Sequence, residues 1–64
     1  MQRPSTIDVW CDGGPWDGLM IEVKVEHNIV FVPGHKDYGE EMVEVEHIYE
    51  RFGNIAIYDR WTYK

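Results

Sequence analysis

A single cysteine, Cys11, stands in this chain of 64 residues. One thiol excludes an internal disulfide, and it excludes zinc sites built from four cysteines or from two cysteines and two histidines. Positive charge is also scarce: six Lys and Arg stand against twelve Asp and Glu, for a net charge of −6. A phosphate backbone or an anionic membrane needs clustered bases, so neither is an expected partner, and a basic protein surface is favoured. No apolar run approaches the length of a membrane span. Met1–Pro4 is short and polar, and no signal-peptide core follows it. A lone unpaired cysteine fits a reducing cytoplasm. The three histidines, His27, His35 and His47, form no close pair and have no Cys or His at ligand spacing. No metal or other cofactor is therefore expected. The chain also lacks the length for a deep, water-excluding pocket, so no enzymatic activity and no catalytic residue is expected.

What the chain does have is aromatic and β-branched residues in alternation. Three Trp, four Tyr and two Phe give a domain of this size the means to build a dense core. Small folds without disulfides or metals otherwise turn to oligomerisation. In Ile7–Asp12 the odd positions are apolar and Asp8 and Asp12 lie between them, the period of a half-buried strand. Leu19–His27 repeats this, with Ile21, Val23 and Val25 on one face. Ile29–Val32 is apolar on both faces, which predicts a strand covered on both sides by barrel closure or by a second subunit. Pro33-Gly34 predicts a break, with His35–Gly39 as loop.

Met42–Phe52 alternates at Val43–Glu46 but not at His47–Arg51. Strand and short helix both fit there; β-branched residues at its start and a turn at Gly53-Asn54 favour strand. Ile55–Tyr63 alternates as a final strand, with Tyr58 assigned to its outward face. The sum predicts one all-β domain over 1–64, with residues 1–5 frayed. It is a small antiparallel sheet of about five strands, curled into a barrel or half-barrel with little or no helix.

Asp12–Gly18, DGGPWDG, is the most unusual stretch. A phosphate cradle needs a nearby cation, and none lies between Arg3 and Lys24. A calcium loop needs more oxygen ligands than two aspartates supply. The stretch therefore predicts a strand–turn–strand corner. Pro15 suits the second position of a β-turn, Gly18 suits a closing position or a positive φ, and Gly13-Gly14 allows a bend. Trp16 is then displayed at the turn or folded over the core.

Gly13-Gly14-Pro15-Trp16-Asp17-Gly18 resembles the GGPxDG element near the N-terminus of many very small proteins encoded by bacteriophages of actinobacteria. The alternating strand after it and the Tyr-rich end, Ile48–Gly53 and Ile57-Tyr58, are similar as well. Only the six-residue element is specific, and no residue roles carry over. The resemblance implies an accessory phage protein made in the host bacterial cytoplasm.

For function, the acidic run Glu40, Glu41, Glu44, Glu46 and Glu50 admits two readings. It is a solvated face that blunts an edge, or a row that imitates a phosphate backbone and blocks a DNA-binding protein. Trp10 sits between Asp8 and Asp12, and aromatics among acids are also the composition of an interface. Trp10 can equally be core. The leading expectation is a non-enzymatic protein that binds and modulates a host protein. Trp10, Trp16 and Tyr58 would anchor the contact, with Glu44 and Glu46 steering it. A homo-oligomeric or virion-associated structural protein and an acidic DNA mimic are the alternatives.

Overall fold

The computed structural model describes residues 5–64; of the segment 1–5 expected to fray, 1–4 lies outside the described residues, while the Ser5 carbonyl accepts from the Val25 N–H at 3.0 Å. Five strands and no helix make up the described chain: β1 (Thr6–Asp12), β2 (Met20–Lys24), β3 (Ile29–Tyr38), β4 (Glu41–Phe52) and β5 (Ile55–Tyr63). They form one sheet in the order β2-β1-β5-β4-β3, nearly closed into a barrel with one unsealed seam. The all-β reading is correct. The sheet is mixed, however, because β1 runs parallel to β5 while every other pair is antiparallel. The β4–β5 turn sets this up: the Trp10 N–H donates to the Asn54 carbonyl (2.8 Å), and the Asn54 amide donates back to the Asp8 carbonyl (3.1 Å).

Val9 and Cys11 from β1, Val23 from β2, Val32 from β3, Tyr49 from β4 and Ala56 from β5 close the core, all buried. One residue from nearly every strand position of matching parity is what alternation dictates. Burial pushes the Cys11 thiol above its ordinary pKa.

Three sequence expectations need correction. Pro33-Gly34 does not break the chain, since β3 continues to Tyr38 and pairs with β4 throughout. β3 is an edge strand, where proline is tolerated because its nitrogen can face the open side. A Cβ on Gly34 would lie 2.7 Å from His47 Nε2, so the glycine gives that ring its space. The reversal is instead a tight two-residue hairpin at Gly39-Glu40, with Gly39 at φ +75°.

Second, Tyr58 faces inward. Ala56 and Tyr58 point to the core, and Ile55 and Ile57 point out. Tyr58 pairs with Tyr49 and Arg60 with Ile48, so Asp59 is an extra residue, a β-bulge. Past it the parity reverses, and Trp61 and Tyr63 share the inner face.

Third, Ile29–Val32 is not covered on both sides within the chain: Val30 and Val32 pack inward while Ile29 and Phe31 are exposed.

The molecule is long for its mass, 52 × 20 × 15 Å. The outer halves of β3, β4 and β5 run on as a three-stranded tongue. Its inner face is tied by Tyr38–Tyr63 hydroxyls at 2.8 Å and by Lys36 Nζ lying 4.5 Å over the Trp61 ring. The shared hydrogen bond with Tyr63 raises the Tyr38 pKa.

Candidate functional site: the outer sheet face

The DGGPWDG corner is a structural device, and its partner is Tyr49. Gly14 to Asp17 form a β-turn with Pro15 in second position, closed by Asp17 N–H to Gly14 C=O at 3.3 Å. Gly13, Gly14 and Gly18 all take positive φ (84°, 68° and 83°). The Asp17 carboxylate accepts from the Gly13 N–H at 2.8 Å. The buried Tyr49 hydroxyl donates to the Gly13 carbonyl (2.6 Å) and accepts from the Trp16 N–H (2.9 Å). A Cβ at Gly14 would sit 2.4 Å from Tyr58 Cδ1 and 2.6 Å from the Tyr49 hydroxyl. The glycines thus let the corner lie flat on two tyrosines. Burial raises the Tyr49 pKa above its ordinary value, although the Trp16 N–H works the other way.

Tyr58 belongs to this interior column. Its ring meets Tyr49 edge-on at 5.3 Å, and its hydroxyl shares a 3.0 Å hydrogen bond with His47 Nδ1. It anchors the inside of the sheet and does not lie beside Trp10. Trp16, half-buried, packs against the core from the corner.

Trp10 lies on the outer face, 46% exposed, and is not alone there. Register aligns it with Met20 on β2 and with Ile55 on β5, and Ile55 aligns with Phe52 on β4. Four large apolar side chains therefore form one row across four strands. Ile57, Ile29 and Phe31 extend it toward β3, around Ile48, which register with Phe31 and Arg60 leaves 9% exposed on this face. Met20, Phe31 and Phe52 are 60%, 59% and 56% exposed, so this band faces solvent.

Carboxylates surround the band. By strand alternation Asp8, Asp12, Glu22, Glu44, Glu46 and Glu50 share its face, while Lys24 and Arg60 are its strand-borne bases. Asp8 stands directly across from Glu22, a like-charge pair that costs stability in a sheet. The one ion pair among the described residues, Asp59–Arg60 at 2.7 Å, leaves these acids uncompensated. Glu44 and Glu46 lie on β4 toward the tongue, away from the Trp10 row, with Glu44 opposite His35 and Glu46 opposite Pro33. Of the five residues singled out from sequence, Trp10, Glu44 and Glu46 share the outer face. Trp16 and Tyr58 belong to the interior. Sequence reading missed Met20 and Phe52, and it missed Ile55 and Ile57 because the bulge at Asp59 hides the parity of β5.

Among the described residues no cluster of three or more His, Cys, Asp or Glu is placed to hold a metal, and no helix is long and apolar enough to cross a membrane. No family model, curated protein or solved structure matches the chain.

Proposed function

We propose that the chain is a non-enzymatic binding protein that docks its outer sheet face on a basic surface of a protein partner. In the phage setting implied by the GGPxDG resemblance, that partner is a host cytoplasmic protein whose action the complex modulates. One observation carries the reading: an exposed apolar row centred on Trp10 and flanked by carboxylates that make no ion pair among the described residues. Interfaces concentrate their energy in such aromatic anchors and use surrounding charge for steering.

The test is an affinity capture from actinobacterial lysate with the tagged chain and with Trp10→Ala. Trp10 contributes no buried core, so the variant should keep its circular-dichroism spectrum and lose about 1 kcal/mol or less of stability. Partner affinity should fall tenfold or more. A folded Trp10→Ala that captures the same partner equally well would remove this face from the contact.

A further inference from the structure

The sheet stops short of closure between β2 and β3. These strands are consecutive and antiparallel, yet among the described residues β2 pairs only with β1 and β3 only with β4. Each therefore presents a free row of backbone donors and acceptors toward the other. At one end the connection Val25–Asn28 is held by Arg51, whose guanidinium donates to the His27, Val25 and Gly53 carbonyls, each at 2.7 Å. Between the edges opens a cavity of about 440 Å³, lined by the apolar Trp16, Ile21, Val23 and Val30 and also by Glu22, Lys24 and His27. The Trp16 wall is fixed from the core through its hydrogen bond to Tyr49.

Two unpaired edges flanking a mainly apolar gap fit one kind of occupant, because only an extended backbone pairs with a strand edge. Pro33, which has no N–H, and the charged Lys36 and Asp37 limit pairing along the rest of β3. The usable stretch is Ile29–Val32, beside the cavity. The two sides of the sheet then dictate the occupant's sequence. Its inward side chains enter the cavity beside Val30 and Ile21. Its outward side chains lie between Ile29 and Phe31 on β3 and Glu22 and Lys24 on β2, with Glu46 and Glu50 one strand further on β4, so that carboxylates outnumber the one lysine.

We propose that the seam accepts an extended segment of the protein partner that alternates apolar and basic residues, pairs with the free edge of β3 and completes the barrel. This rests on the reading of a basic partner and names the partner's docking element.

The probe is a synthetic peptide of about ten residues, an ordinary strand length, alternating valine and lysine. Its control has the same residues segregated into a valine block and a lysine block. Both carry the same charge, but only the first presents one apolar and one basic face. Each is added to the full chain, and amide exchange is followed by NMR. At about ten times its Kd the alternating peptide should slow exchange of the free-edge amides within Met20–Lys24 and Ile29–Val32 about tenfold, and the block peptide should not. Ile29→Lys should weaken the alternating peptide tenfold or more. Should that variant fail to fold, the exposed Glu22→Lys tests the same edge by charge reversal. Equal binding of both peptides, with changes confined to the Trp10 row, would overturn the seam and leave the acidic-face reading standing. Absence of edge protection by either peptide overturns the seam as well. The acidic-face reading fails separately, through Trp10→Ala and the captured partner.

Discussion

Tyr49 links sequence to shape at the residue scale. A buried hydroxyl that both donates and accepts is costly to lose, because truncation strands the Gly13 carbonyl and the Trp16 N–H. Tyr49→Phe should lower stability by about 1–3 kcal/mol in urea unfolding, with faster amide exchange at the corner. Gly14→Ala should cost more, since it adds strain at φ +68° to a collision with the Tyr58 ring and the Tyr49 hydroxyl. The same tyrosine predicts an alkaline limit. Its pKa is raised in the fold, so folding favours the neutral phenol. That stability is fully present below the ordinary value near 10, and it is lost as pH rises toward the folded pKa. Cys11 acts in the same sense from its ordinary value near 9. Thermal scans should therefore show Tm falling above about pH 9–10, and Tyr49→Phe should flatten the upper part of that fall. The glycine and proline positions of the corner were legible in the sequence, because turn chemistry is local. Its dependence on a tyrosine 33 residues away was not, because that is a packing fact.

The strands show which patterns carry across a sequence and which do not at the element scale. β1, β2 and the start of β4 alternate cleanly, and their inward residues are those the period indicates. β5 reads with the wrong face inward, because Ile55, Ile57, Trp61 and Tyr63 share a parity in sequence but not in space. One extra residue at Asp59 separates the two halves, and alternation holds no information about it. β3 was cut short for a related reason: Pro33-Gly34 is a breaker in a central strand but acceptable on an edge, and which strands are edges is a property of the sheet. Deleting Asp59 should therefore leave a regular ladder, with Tyr58 opposite Tyr49, Arg60 opposite Ile48, and Trp61 and Tyr63 still on the inner face. The Tyr38–Tyr63 hydrogen bond and the Lys36–Trp61 contact should survive, and stability should change by about 1 kcal/mol or less. Retention of the Lys36–Trp61 nuclear Overhauser effects, together with the Val9–Ala56 core signals, is the expected spectrum. Loss of those effects would mean that β5 slips by one residue and turns Trp61 and Tyr63 outward.

The uneven distribution of charge over the whole molecule decides between self-association and a foreign partner. The apolar band could in principle be covered by a second copy, since a small chain with no disulfide has reason to oligomerise. Stacking two outer faces would bring Asp8, Asp12, Glu22 and Glu50 of each chain toward those of the other, with each chain at −6. That repulsion acts across a rim with little cationic relief, and it weakens as salt screens it, over ~10 Å at 0.1 M. A basic partner reverses the sign, since salt then removes an attraction. The two arrangements therefore respond in opposite directions to one variable. Sedimentation at rising ionic strength should find the isolated chain monomeric at low salt. The affinity of the captured partner should fall steadily between about 0.05 and 0.5 M salt, mainly through slower association. A chain that instead dimerises at low salt, or a partner whose affinity is indifferent to salt, would place the energy in the apolar row alone. The carboxylates would then serve only to keep an exposed sheet soluble.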